Sequence, residues 1–160
     1  MSAYSIRPAR AEDAGAVARI WTDGWRDGHV GNVPDELVAV RTPASFQTRA
    51  AERVADTTVA VAPADVIAGF VMVDDDEVEQ VFVASDHRGS GVAGLLLAEA
   101  ERLVAANGHH RAWLAVVDGN MRARRFYERC GWTDDGMFTY QAAVADGTIS
   151  VPCHRYIKDI

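Results

Sequence analysis

The chain has 160 residues, 49% of them apolar, and a formal net charge of −7. This length and apolar content predict one domain over residues 1–160, and the negative charge argues against nucleic-acid binding, which needs a basic surface. The sequence contains no apolar run of ~18 residues, its N-terminus lacks the apolar core of a signal peptide, and its two cysteines match no zinc pattern, so we expect a cytoplasmic protein without a membrane span.

The first third of the chain predicts a short strand followed by helices. Residues 4–7 form the expected strand, and residues 11–27 carry apolar side chains at helical spacing. A loop over residues 28–34 leads to a short helix that opens at Pro34. A further helix is expected over residues 45–55.

The remainder predicts strands over residues 58–62, 66–73, 77–83, 112–117, 137–144 and 149–157, with helices over 92–107 and 120–129. The acidic run at 74–76 reads as a hairpin turn, because it lacks the glycine and the terminal glutamate of a calcium loop. The buried stripe of the helix over 92–107 is expected to contain Leu95, Leu96, Ala100, Leu103 and Val104.

The glycine-rich run Arg88-Gly89-Ser90-Gly91-Val92-Ala93-Gly94 matches two patterns. Read from Gly89, it is G-x-G-x-x-G, the dinucleotide fingerprint of an NAD(P)-dependent oxidoreductase. Read from Arg88, it is R-x-x-G-x-A, a pattern that holds the pyrophosphate of coenzyme A. In both interpretations, backbone amides and a helix dipole bind an anion.

The surroundings of this run argue against the dinucleotide interpretation. In that motif the strand runs almost directly into the first glycine, whereas residues 84–88 intervene here. Asp118 follows the glycine run at a distance that suits the acidic residue of the dinucleotide motif. The strand, glycine run and helix, however, begin past the middle of the chain. Too few residues then remain for a doubly wound sheet.

Two blocks together resemble the GNAT superfamily of N-acetyltransferases. The first block is Val81-Phe82-Val83 with residues 85–96, and the second contains Asn120, Ala123, residues 126–129 and Gly131-Trp132. With the flanking strands they cover roughly residues 58–140. The resemblance implies an α/β domain of α+β type, with a mixed, mostly antiparallel sheet of about seven strands. This sheet would splay at the cofactor cleft and be flanked by about four helices.

The resemblance also implies acetyl-CoA as the co-substrate and no metal. Backbone amides of the glycine run would bind its pyrophosphate, the strand over 77–83 would pair with its pantetheine arm, and Asn120 would contact that arm. The implied cofactor-binding residues are Val81, Phe82, Val83, Arg88, Gly89, Ser90, Gly91, Val92, Ala93, Gly94 and Asn120.

For catalysis, the resemblance assigns Tyr127 as the acid that protonates the departing thiolate; the alternative is a purely structural core aromatic. Glu79 is the first candidate for the base, with Glu77 in reserve. Two residues apart on one strand, both would share the face of Val81 and Val83 unless a bulge intervenes. The alternative is that both are charges exposed near a hairpin turn.

The acceptor is expected to be a primary amine of a small molecule or peptide, and an acidic protein could favour polyamines or aminoglycosides. Trp25 and His29 are the candidate acceptor-side residues. A sensor of the same fold that binds acyl-CoA without turnover is the alternative from another class. The final hairpin could pair with a second copy to give a homodimer.

Overall fold

A seven-stranded sheet with helices on both faces forms the frame of the computed structural model, which describes residues 3–160. The strand order is β1-β2-β3-β4-β5-β7-β6. The strands are β1 (Ser5–Pro8), β2 (Thr57–Ala62), β3 (Val66–Asp74), β4 (Glu77–Val83), β5 (Arg111–Val117), β6 (Thr133–Val144) and β7 (Gly147–Asp159). The helices are α1 (Ala14–His29), α2 (Asp35–Val40), α3 (Pro43–Glu52), α4 (Val92–Ala106) and α5 (Met121–Arg129).

The sheet is split between β4 and β5. These two strands form its single parallel pair within the described residues. The two strands share one register pair, Glu77 with Trp113. The Trp113 indole also donates a hydrogen bond to the Asp76 carboxylate at 3.0 Å. The strands are therefore joined at the start of β4 and part toward Val83.

Each face of the sheet has its own apolar core. On one face, the side chains of α1 and α3 pack on β3, with Trp21, Phe46, Phe70 and Met72 all buried. On the other face, α4 packs with Val92, Leu96, Leu97, Ala100 and Val104 buried. These two layers leave the split as an opening between packed cores.

A β-bulge in β4 changes which side chains share a face. Met72 pairs with Gln80 and Val73 pairs with Val78, so Glu79 is the extra residue. Val81 and Val83 consequently pack with α4, whereas Phe82 packs on the α1 side. Tyr140, which hydrogen-bonds to Glu77, packs with the α1 core. The bulge is therefore the exception under which Glu77 and Glu79 were not expected to share the face of Val81 and Val83.

The predicted fold class is confirmed, with five α-helices in the described residues instead of about four. One parallel pair in an otherwise antiparallel sheet excludes the doubly wound sheet of the dinucleotide interpretation. No helix of the described residues combines the length and apolarity needed to cross a membrane.

Two local predictions are wrong. Leu95 is exposed, because α4 turns Leu96 and Leu97 toward the sheet instead. The first long helix continues through Gly28 to His29. Gly28 is tolerated inside it because the missing side chain lets α1 approach Asn120: a Cβ at Gly28 would lie 2.6 Å from Asn120 Nδ2.

Candidate active site

The split between β4 and β5 opens into two adjoining cavities. The first, called the aromatic cavity here, has a volume of about 340 Å³ and is lined by Trp25, His29, Glu77 and Tyr140 among others. The second, called the loop cavity, has a volume of about 250 Å³ and is lined by the glycine run and α5. Both are bordered by Val81, Phe82, Asn120, Ala123 and Tyr127.

The wall of the loop cavity is suited to bind an anion. Gly89 and Gly91 have φ values of +78° and +87°, a conformation that glycine adopts without strain. Gly91 is the N-cap of α4, no side chain caps this helix, and its first turn contains no acidic residue. The first-turn amides of α4 lack acceptors within the helix, so they and the helix dipole attract negative charge.

Two further features extend this cavity along β4. Beyond the Glu77–Trp113 pair, the edge of β4 that faces β5 has no strand partner among the described residues. An extended ligand could pair with this edge as an added strand does. Asn120 lies across the split, where its Oδ1 accepts the Ala123 amide proton at 3.3 Å and caps α5.

Glu77 is a half-buried carboxyl in the aromatic cavity. Burial raises its pKa to about 7, and the neighbouring carboxylates of Glu79, Asp74 and Asp76 act in the same direction. The Tyr140 hydroxyl donates a hydrogen bond to Glu77 Oε2 at 2.9 Å, which opposes this rise. Glu77 therefore changes charge near neutral pH, as a general base does.

Glu79, the bulged residue, is bound to a cation. The Arg53 guanidinium donates two hydrogen bonds to its carboxylate, at 2.8 and 3.0 Å. This bidentate pair raises the pKa of Arg53 above its usual range. Carboxylate oxygens of Asp74, Glu77 and Glu79 lie within 4.8 Å of one another, so Arg53 offsets part of their mutual repulsion.

Tyr127 is both a core residue and a cavity residue. Its side chain packs against Phe126, Trp132 and Tyr156, and it borders both cavities at the junction between them. Burial raises the pKa of its phenol above the usual value. The phenol is therefore protonated at neutral pH and can donate a proton.

Trp25 and His29 both line the aromatic cavity. Their rings stack with centroids 4.6 Å apart. His29 Nδ1 lies 2.9 Å from the Trp25 carbonyl, which can only accept, so the neutral ring has its lone pair on Nε2. Burial lowers the pKa of His29 to about 4, which makes it a weak base.

Sequence reasoning missed Arg53, which binds Glu79, and four residues that line the aromatic cavity: Arg41, Arg49, Gln80 and Tyr140. Arg49 and Arg53 lie three and seven positions after Phe46 on the helical pattern, which could have placed them beside its apolar face. Tyr140 falls in the predicted strand over residues 137–144, to which the sequence assigned no site residue. No local signal identifies Arg41.

Residues 16–132 match the model of the acetyltransferase (GNAT) family. Streptothricin acetyltransferase of Streptomyces lavendulae is 30% identical over 109 residues, which cover 61% of this chain and 58% of that protein. The chain spans about half the length of the curated relatives that it matches.

Solved structures resemble the whole fold. A GCN5-related N-acetyltransferase from Rhodopseudomonas palustris has a TM-score of 0.76 at 22% identity, over 100% of this chain and 98% of its own. The PaiA N-acetyltransferase from Thermoplasma acidophilum, solved in complex with coenzyme A, has a TM-score of 0.72 at 16% identity, over 100% of both chains. At these identities, the likeness shows the fold.

Proposed function

The chain belongs to the GNAT acetyltransferase family, and from this membership we propose that it transfers an acetyl group from acetyl-CoA to a primary amine by direct attack in a ternary complex. The observation that carries the proposal is the split between β4 and β5, which joins an uncapped helix N-terminus to a cavity with a titratable carboxyl. The coenzyme A complex of the Thermoplasma relative supports the choice of co-substrate.

Acetyl-CoA would supply the acetyl group as a thioester. The amides from Arg88 to Gly94 would bind its pyrophosphate, where a Cβ built on Gly89, Gly91 or Gly94 meets no atom within 4 Å. The open edge of β4 from Val81 to Val83 would pair with the pantetheine arm. Asn120 lies at the junction of the two cavities, a suitable position for contact with the same arm.

Glu77 is the proposed base, ahead of Glu79. The acceptor amine must lose a proton as its nitrogen bonds to the acetyl carbon, and a carboxylate with a pKa of about 7 can accept that proton directly or through a water molecule. Both carboxylate oxygens of Glu79 accept a hydrogen bond from Arg53, so that carboxylate is better suited to neutralise a cation.

Tyr127 is the proposed acid. The carbon–sulfur bond breaks as the amide forms, and the departing thiolate takes a proton. The phenol of Tyr127 is protonated at neutral pH, and its position between the cavities fits the junction of amine and thioester. Glu77 takes the proton that the amine loses and Tyr127 gives the proton that the thiolate gains; proton exchange with water after product release restores both groups.

Isothermal titration tests the co-substrate site. We expect sub-millimolar binding of coenzyme A and no binding of NAD.

Gly91→Val places a β-branched side chain in a left-handed conformation at the start of α4 and should weaken coenzyme A binding at least about tenfold. Gly136→Val is the matched control: Gly136 also has a positive φ and open space around it, but does not line either cavity. Failure of coenzyme A to bind the unmodified protein would refute the proposal.

A further inference from the structure

Two arginines of the aromatic cavity have no carboxylate partner among the described residues. Arg41 is 7% exposed, and its guanidinium donates to the Ala143 carbonyl at 2.5 Å. The Arg49 guanidinium stacks over the Trp21 ring, with its carbon 4.3 Å from the ring centroid. Arg53 differs from both, because it is paired with Glu79 and Asp56.

The two unpaired cations lie close enough to affect each other. Burial lowers the pKa of both guanidiniums, that of Arg49 to about 10; the charge of Arg41 adds to the lowering at Arg49, whereas the Glu79 carboxylate, which forms no ion pair with Arg49, opposes it. Arg41 also lowers the pKa of His29, which lines the same cavity. Cations removed from water are costly unless an anion offsets them, so this wall favours a negatively charged group.

The same cavity also holds acidic groups. Glu77 and Tyr140 form a hydrogen-bonded pair there, and Asp74 and Glu79 also line the cavity, with Glu79 paired to Arg53. The aromatic cavity thus presents a proton acceptor and two cations within one volume of about 340 Å³, which suits a compact molecule with both an amine and an acid.

We propose that the acceptor amine belongs to an amino-acid-like molecule whose carboxylate binds between Arg41 and Arg49 while its amine faces Glu77. This inference rests on the proposed acetyl transfer and specifies its substrate class. The net charge of −7 describes the whole surface, whereas the cations of this wall decide what the cavity accepts. Polyamines and aminoglycosides, which the overall charge suggested, have no anionic group to place between Arg41 and Arg49.

The test compares α-amino acids with their carboxamides in an assay for thiol release from acetyl-CoA. An α-amino acid and its carboxamide differ by one negative charge and have nearly the same shape. The amine of a carboxamide is deprotonated more easily than the amine of the matching amino acid. A preference for the amino acid therefore cannot come from a larger share of neutral amine. We expect at least one amino acid to exceed its carboxamide about tenfold or more in kcat/KM, as a charged hydrogen-bonded pair allows.

Arg49→Gln should lower kcat/KM for that amino acid about 10- to 100-fold and leave the value for its carboxamide within about threefold. We expect the same selective loss for Arg41→Gln if that variant folds. Arg49 is less buried than Arg41, so Arg49→Gln gives a test that does not depend on the folding of Arg41→Gln. Arg102→Gln is the control, because the Arg102 side chain is 64% exposed on α4, outside both cavities.

Turnover of carboxamides or polyamines that equals or exceeds turnover of every amino acid would overturn the inference and leave acetyl transfer standing. An equal loss for both members of a pair in Arg49→Gln would also overturn it. Coenzyme A binding without thiol release for any amine would instead refute the proposed function, and the inference with it.

Discussion

At the level of single residues, the charge state of Glu77 depends on three features of its surroundings. Burial and nearby carboxylates raise its pKa, and the Tyr140 hydroxyl lowers it. The sequence could show two glutamates two positions apart, but not which one Arg53, the residue after α3, would bind. The bulge at Glu79 and the pairing with Arg53 both arise from contacts between distant segments, so Glu77 could not be ranked first.

Glu77→Gln should reduce kcat/KM by about 10²- to 10⁴-fold, because glutamine cannot accept the proton of the amine. In the unmodified enzyme, the carboxyl is charged and active above its pKa of about 7, so kcat/KM rises with pH through that value. The variant should lose this inflection. The measurement is kcat/KM from thiol release across pH 5–9.

Glu79→Gln is the matched comparison for this prediction. Loss of its negative charge, and release of Arg53, both stabilise the Glu77 carboxylate, so the inflection should persist and move to lower pH. If the inflection disappears in Glu79→Gln and survives in Glu77→Gln, the two roles are exchanged.

Tyr140→Phe should move the same inflection to higher pH. The hydroxyl donates to Glu77 Oε2 at 2.9 Å and so stabilises the charged form, and its removal raises the pKa of Glu77. The pH profile of kcat/KM checks this shift. An unmoved inflection would mean that another group titrates, with His29 unsuitable because its pKa lies near 4.

Tyr127→Phe should lower kcat by about 10²-fold or more where chemistry limits the rate, because phenylalanine cannot protonate the thiolate. The substitution keeps the ring that packs against Phe126 and Trp132, so the melting temperature should change little. Measured together, kcat and melting temperature separate the chemical role from the packing role. An unchanged kcat would leave Tyr127 a core aromatic.

At the level of elements, α1 lies against β4 because Gly24 has no side chain. A Cβ at Gly24 would lie 2.4 Å from Phe82 Cδ1, so Gly24→Ala must displace a ring that borders both cavities. We expect the free energy of unfolding to fall by about 1–3 kcal/mol, the usual cost of overpacking. Denaturant unfolding measures this change.

Gly15→Ala is the control on the same helix. A Cβ at Gly15 meets no atom within 4 Å, so alanine there should raise the free energy of unfolding by about 0.4–1 kcal/mol through chain entropy. Equal effects of the two substitutions would contradict a close approach of α1 to β4.

The local sequence pattern predicted well whether an element is a helix or a strand. It did not predict where each element ends or which of its side chains are buried. Strands β2, β3 and β4 and helix α4 lie close to the predicted ranges, because apolar spacing reflects which sides are covered. The end of α1 was placed too early, since Gly28 normally favours a helix end, whereas here it fits against Asn120. Leu95 was assigned to the wrong side because several apolar residues in a row leave the rotation of α4 open.

At the level of the whole molecule, the two halves of the cleft differ in how far sequence could predict them. The loop cavity is built from contiguous blocks around β4, α4 and α5, and those blocks supported the family resemblance. The aromatic cavity joins residues far apart in the chain: Glu77 meets Tyr140 across 63 positions, and Arg41 meets Ala143 across 102. Only the folded sheet brings them together.

Acetyl transfer itself can be followed in one reaction. Protein, acetyl-CoA and a panel of primary amines are combined, free thiol is titrated, and the amine product is identified by mass spectrometry. We predict one N-acetylated amine for each thiol released, with release that depends on the amine. Tight binding of acetyl-CoA without an acetylated amine from any acceptor would contradict the account and indicate a sensor built on the same fold.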